Sequence, residues 1–442
     1  MLASGNQGAQ GPAGTPPGSP ASSTARRLTG LPTFRALQEP NFRRLWISLS
    51  VSAVGTWMQI VALSLLVLDL TDGSALALGT VSLAQALSFL LLAPAAGAFA
   101  DRFDRRRLLL VTQSIMMGLA LLLGALTATG AIRFWMIPLV ALFGSAALSF
   151  DQPARNALIA SLVSKENLMN ALALQSAVFN GASILGPALA GLALSRIGYS
   201  ANFFLNAASY VAVLVALAAL PSPAAAGASK PGEGWFESFR EAVHYIRRDA
   251  VLPSTVLAYG VLLFFGPSAA MMLPLFARQV IHAGPAQLGV LFSAVGVGAV
   301  FGALIVASLG DFSRKRPLAI GSVLVCAVAL ALFALCGTLH VSLPTLLVLG
   351  GAQNAAGATT ITLLQTRVPP RMRGRAMSLN TLLIMGIRPL GDFPVGAVMA
   401  RLGFRPAVLL SAAIVGIAPL ALLLTRPAVR SPDPESSLAG GV

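Results

Sequence analysis

The sequence predicts an all-α polytopic membrane protein with twelve transmembrane helices in two pseudo-symmetric six-helix halves. Three observations lead there. Of the 442 residues, 56% are hydrophobic and only 10% charged, against about 25% charged in an ordinary soluble domain. So few charges cannot coat a globule of this size. Apolar runs follow one another along the chain, each close to the roughly 20 residues that a bilayer-crossing helix needs. Finally, the second half of the chain repeats features of the first.

The first 33 residues, rich in Gly, Pro, Ser and Ala, read as a disordered tail without the features of a secretory signal. The first half covers 34–220, with apolar runs at 46–69, 77–100, 107–129, 133–151, 168–194 and 201–220. Residues 221–250 form a linker, and the second half covers 251–425. Its runs lie at 251–275, 287–310, 317–338, 342–364, 375–400 and 404–425, followed by a tail at 426–442. Inside lipid each backbone amide needs a partner within its own segment, so runs of this length form helices. Within the linker, Trp235, Phe239, Val243 and Ile246 recur at helical spacing, with Glu237, Arg240, Glu241 and Arg248 elsewhere on the turn. A short helix lying on the membrane face fits that pattern.

Orientation follows from the basic residues. The two tails and the loops on their side of the membrane hold 24 of the 30 Lys and Arg, the opposite loops hold 5, and Arg388 alone lies inside a helix. Cytoplasmic loops collect Lys and Arg, so both termini are expected in the cytoplasm. The net charge of +15 is thus a topology signal. A nucleic-acid surface would gather its cations on one water-facing domain, and this chain has none. Cys326 and Cys336, ten residues apart on one helix, are about 15 Å from each other, too far for a disulfide. His244, His282 and His340 share no metal-ligand spacing, so neither a metal nor a cofactor is expected.

At an offset of 205, Gly191, Arg196, Ile197, Gly198 and Tyr199 return as Gly396, Arg401, Leu402, Gly403 and Phe404, and Ala171-Leu172-Ala173-Leu174 returns as Ala376-Met377-Ser378-Leu379. Asp101 before Arg105-Arg106-Arg107 is echoed by Asp311 before Arg314-Lys315-Arg316. Two parallel six-helix halves are a transporter architecture, with the substrate between them near the bilayer midplane.

Gly97-Ala98-Phe99-Ala100-Asp101-Arg102-Phe103-Asp104-Arg105-Arg106-Arg107 resembles the loop 2–3 signature of the major facilitator superfamily, with Asp104 where the usual pattern has Gly. Asn41-Phe42-Arg43-Arg44-Leu45-Trp46, Phe150-Asp151-Gln152-Pro153-Ala154-Arg155 and Gly186-Pro187-Ala188-Leu189-Ala190-Gly191 are similar to the bacterial exporter branch that includes enterobactin and macrolide efflux proteins. The resemblance spans 35–425. It implies the major facilitator fold, a place in the bacterial cytoplasmic membrane, and alternating access. It also implies that Asp101, with Arg102 and Arg105 as neighbours, latches the cytoplasmic ends of the two halves in the outward-facing state. Gly186, Pro187 and Gly191 match a motif associated with proton-coupled exporters. Small residues there also permit close helix approach.

Arg388 and Asp392 are four apart in span 11, on one helical face. A charge at the bilayer centre costs about 2.5–3.5 kcal/mol even on insertion scales, so the two are expected away from lipid. They read either as a proton-titratable pair lining the cavity or as a static ion pair. Asp151 and Arg155 form another such pair at the cytoplasmic end of span 4, where a gate or capping role is expected. Before Gly144, span 4 carries Pro138-Leu139-Val140-Ala141-Leu142-Phe143. The Arg that many drug/proton antiporters place there is absent, so proton coupling through it is unavailable. Gln59, Gln85, Asn180 and Gln353 are candidates for the cavity wall, although polar residues in such spans also serve as interhelical hydrogen bonds. Asp69, at the outer end of span 1, is expected to be solvated. The chain has neither a phosphate-binding glycine loop of the GxxxxGK[ST] type nor a nucleophile triad, so an enzyme is not expected.

The expected function is secondary active export of a small amphipathic organic molecule, of the siderophore, macrolide or drug-like kind, by a monomer exchanging it for protons. Asp392 is the leading proton carrier and Arg388 its modulator. An importer of the same fold is one alternative. A membrane receptor or assembly protein is another, but it would call for a long folded soluble domain, and the longest candidate, the 221–250 linker, is too short for one.

Overall fold

The computed structural model describes residues 32–221, 235–309 and 314–425. Much of both predicted tails, and Asp311, lie outside the described residues. Among those described there are helices, turns and no strand.

Among the described residues, nine segments are long and apolar enough to cross a membrane: Pro40–Leu70, Ala75–Ala93, Arg105–Ala128, Leu168–Ala218, Leu252–Gln279, Pro285–Ser308, Lys315–Leu335, Arg373–Leu402 and Phe404–Ala421. The 51-residue segment Leu168–Ala218 is two helices meeting at Gly198. Two further helices, Met136–Leu162 and Leu339–Arg367, are long enough but more polar, with Asp151 and Arg155 in one and Gln353 and Asn354 in the other. Numbered in chain order these are spans 1 to 12, a count consistent with the twelve expected.

Several ends differ from expectation. Span 1 begins at Pro40 rather than Trp46, because proline's fixed φ suits the first helical turn. Span 7 is broken. Its first part, Leu252–Phe265, ends at Gly266-Pro267, and a second, Ala269–Gln279, starts under a Ser268 cap whose hydroxyl accepts from the Met271 amide.

The repeat is written into the backbone. Gly198 (φ 79°, ψ −173°) and Gly403 (φ 84°, ψ 171°), 205 residues apart, adopt the same conformation, one essentially reserved for glycine. Each turns the chain from one helix into the next within a single residue.

Two seams join the halves, span 5 against span 8 and span 2 against span 11. They are copies of each other. A Cβ on Gly191 would meet the Pro285 carbonyl at 2.6 Å, and one on Gly396 would meet the Ala75 carbonyl at 2.8 Å. Gly289 likewise lies against the Pro187 carbonyl, as Gly79 lies against that of Asp392. Each pairing maps onto its counterpart by the offsets of 205 and 210 that relate the halves. Backbone-to-backbone approach of this kind is what small residues allow where no hydrophobic force drives helices together.

Among the described residues, the seam of span 5 with span 8 is tight toward the end remote from the chain termini, here termed the far side, and open toward the other. Pro187 in span 5 is covered, whereas Met169, eighteen residues earlier on the same face, is 77% exposed. Across the seam, Ser293 donates to the Ile184 carbonyl at 2.7 Å, but Leu304, eleven residues on along the same face, is 59% exposed. The halves therefore form a cleft that opens toward the termini and closes at the far side.

The linker helix, Trp235–Arg248, rests on the second half. Ala242 and Ile246 are buried, and Ile246 packs with Ala319, Leu363 and Met372 at the ends of spans 9 to 11. Tyr245 donates to the Arg367 carbonyl at 3.0 Å, Arg367 pairs with Asp249 at 3.2 Å, and Arg375 pairs with Glu241. Of the apolar stripe expected to face the membrane, Ile246 is taken up by protein. The Trp235 and Phe239 side chains lie outside the described residues.

Candidate functional site

Span 11 carries the two charges that matter most. Gly391 lies directly against the Phe264 carbonyl, so span 11 and the broken span 7 approach without a side chain between them. This places Asp392, 3% exposed, at the start of the second piece of span 7. Its Oδ1 accepts from the Ser268 amide at 2.9 Å, one of the donors that a helix N-terminus leaves free. Its Oδ2 accepts from Ser82 Oγ, in span 2 of the other half, at 3.1 Å. The carboxylate thus sits inside a seam, in the repeat position of Pro187.

Arg388 does not bond to it. A π-turn, Leu383–Ile387, precedes Arg388, whose Nη2 donates to Gln353 Oε1 of span 10 at 3.3 Å. The two residues expected as a pair are divided between a seam contact and a contact inside the second half.

On the far side a second polar cluster closes the cleft. Asp69, at the end of span 1, receives Arg278 Nη1 from span 7 at 2.7 Å and the phenol of Tyr199 from the turn between spans 5 and 6. Burial and the adjacent carboxylate both push the Tyr199 phenol upward, so it stays protonated and donates. Beside it, Gln279 Nε2 donates to the Gly73 carbonyl at 3.1 Å. Asp69 is half-exposed but engaged by both halves, where the sequence suggested a solvated residue. Its one legible signal is that both Asp69 and Arg278 are isolated charges at far-side span ends.

At the terminal side, the side chains of Gly97, Asp101 and Arg102 lie outside the described residues, although helix runs through Arg102. Asp104 caps the next helix by accepting from the Arg107 amide at 3.0 Å, which accounts for an Asp where the signature usually has Gly. Arg105 donates to the Ala157 carbonyl at 3.3 Å, and Arg106 donates to the Leu217 and Ala218 carbonyls at the end of span 6. Asp151 is fully buried. It accepts from Thr112 Oγ1 at 3.1 Å and Gln113 Nε2 at 2.6 Å and pairs with Arg155, all inside the first half. In this conformation it ties span 3 to span 4.

The four cavity candidates separate. Gln59 accepts from Asn206 Nδ2 at 2.7 Å, linking spans 1 and 6. Gln85 and Asn180 accept through their backbone carbonyls, from Ser145 and Ser183. Gln353 alone meets a candidate charge, Arg388. Gly186, next to the seam, takes the side chain of Trp57 and the Val54 carbonyl of span 1 against its bare Cα.

Residues 31–439 match the family described as transmembrane secretion effector. Among curated relatives, the chain is 26% identical over 281 residues to the uncharacterized MFS-type transporter YfiS of Bacillus subtilis, covering 61% of this chain and 66% of that protein. It is 26% identical to the enterobactin exporter EntS of Escherichia coli O157:H7 (91% of this chain, 96% of the relative). With macrolide efflux protein A of Streptococcus pyogenes it shares 22% (85% and 93%). Among solved structures, the fold is similar to a bacterial homologue of the human lysosomal transporter Spinster in an inward-facing, unoccupied conformation (TM-score 0.70, 14% identity, 88% of this chain and 97% of that one). A bacterial homologue of the iron transporter ferroportin in an inward-facing state gives TM-score 0.69 at 15% identity, covering 88% and 99%.

Proposed function

The chain belongs to the transmembrane secretion effectors of the major facilitator superfamily, and on that premise we propose that it exports a small amphipathic organic molecule in exchange for protons. The excess of Lys and Arg on the terminal side assigns that side to the cytoplasm, so the conformation described above is inward-open and ready to load cargo from inside the cell. The enterobactin and macrolide exporters among its relatives support outward transport.

The observation that carries the coupling is the position of Asp392. Its carboxylate bridges span 2 of one half to spans 7 and 11 of the other, so a far-side opening that parts spans 2 and 11 must break the Ser82 bond. In the cycle, the opened seam presents Asp392 to the outside, where it takes a proton. Reclosing returns the carboxyl to the Ser268 amide, and the proton leaves toward the cytoplasm. Cargo and proton use alternate openings, which is exchange.

Proteoliposomes with an imposed pH gradient test this. Asp392→Asn is expected to abolish gradient-driven transport while leaving cargo exchange at equal pH. Wild-type rates with wild-type gradient dependence in that variant would end the proton role.

A further inference from the structure

We propose that Arg388 is an anion site, holding a carboxylate, sulfonate or phosphate group of the cargo while the apolar body of the molecule lies in the cleft. That the occupant is cargo rests on the export reading; that the site takes an anion does not.

A guanidinium has five N–H donors in a planar fork and is always charged. In this structure the hydrogen bond made by Arg388 is one long contact to Gln353 Oε1 at 3.3 Å, a neutral partner. None of the ion pairs among the described residues includes it. The carboxylate one turn away, Asp392, is turned to Ser82 and the Ser268 amide, so it supplies compensating charge nearby without occupying the fork. Arg155, at the terminal-side end of span 4, is the contrast: it sits against a fully buried Asp151. A cation whose purpose was to hold helices together would be satisfied in the same way, because unpaired charge in a span is costly.

A small recess beside the fork admits a single polar atom. Arg388 and Gln353 line a recess of about 10 Å³ whose other walls include Gly266, Pro267 and Ala269 at the break in span 7. That is room for one water-sized atom group, hence for one anionic oxygen and not for a whole cargo. Leu262, Met272, Val295, Leu330 and Leu349 make the rest of the wall apolar. A ligand matched to this arrangement has one anionic group on an apolar frame.

The test uses the full chain in lipid nanodiscs and three probes of equal frame and different charge: 2-naphthalenesulfonate, 2-naphthol and 2-naphthyltrimethylammonium, with binding read by titration calorimetry. The sulfonate is expected to bind at least about tenfold tighter than the naphthol, the gain of one charge-assisted contact, and the ammonium weakest. Arg388→Gln should bring the sulfonate to the level of the naphthol, and Arg388→Lys should keep part of the preference. Gln353→Glu covers the case in which Arg388→Gln does not fold: it gives Arg388 an internal partner, and should remove the preference without lowering the melting temperature. Absence of a sulfonate preference in the wild type, or its survival in Arg388→Gln or Gln353→Glu, would overturn the assignment. Binding is read at equilibrium, so failure of gradient-driven transport leaves this result standing.

Discussion

Asp151 shows what a single charge needs inside a span: two uncharged donors, a cation one turn away, and no solvent. Removing the cation leaves Asp151 buried and uncompensated, at a cost of about 3–5 kcal/mol. Arg155→Leu should therefore lower the melting temperature of the detergent-solubilised protein sharply, and the double variant Asp151→Leu with Arg155→Leu should recover most of the loss. A double variant as unstable as the single one would mean that the site holds more than a compensated pair. The identity of the charged residues was legible in the sequence, because a charge within an apolar run stands out. The pairing of Asp151 with Arg155, one turn apart, was legible too, but the partners of Asp392 were not. Ser82 lies 310 positions from Asp392, and no local spacing relates the two. The same limit explains why Arg388 and Asp392 read as a pair: sequence distance places them on adjacent turns, while the neighbours packed around them decide which way each side chain goes.

Among the elements, the turns at Gly198 and Gly403 were legible as a repeat, and their conformation gives the reason for it. A residue with a Cβ in that backbone region costs about 1–3 kcal/mol. Gly198→Ala and Gly403→Ala should each destabilise by that amount, whereas Gly181→Ala, in helical conformation with open space around it, should be neutral. Thermal melts of the three variants measure the difference, and equal behaviour would contradict a conformational role for the two turn glycines. The break in span 7 was hidden, because the apolar run continues through Gly266-Pro267. Hydropathy registers transfer from water to lipid and is blind to whether one helix or two make the crossing. Yet the break is what frees the Ser268 amide for Asp392.

For the molecule as a whole, the equilibrium between openings is set by what the halves exchange at each end. At the far side the exchange includes Asp69 with Arg278, both partly solvent-exposed, and such pairs are worth at most about 1 kcal/mol after screening. Asp69→Asn should shift the population toward the far-side-open form by up to about fivefold, read as a longer spin-label distance between Thr71→Cys and His282→Cys. Gly289→Leu should shift it further, because its side chain would meet the Pro187 backbone across the seam and a backbone carbonyl cannot step aside as a side chain can. If neither substitution lengthened the distance, the far-side contacts would not be what holds the cleft closed there.

The sequence by itself determined the environment, the number of crossings, the two-half plan and which residues are chemically unusual. All of these depend on composition and on periods that a single helix already contains. Tertiary structure decided which end of the cleft is closed, that Asp392 belongs to a seam and Arg388 to a recess, and that Asp69 ties two halves together. Ser82 meets Asp392 across 310 positions, Arg278 meets Asp69 across 209, and even Gln353 lies 35 from Arg388; only helices packed in three dimensions bring such segments within hydrogen-bond reach.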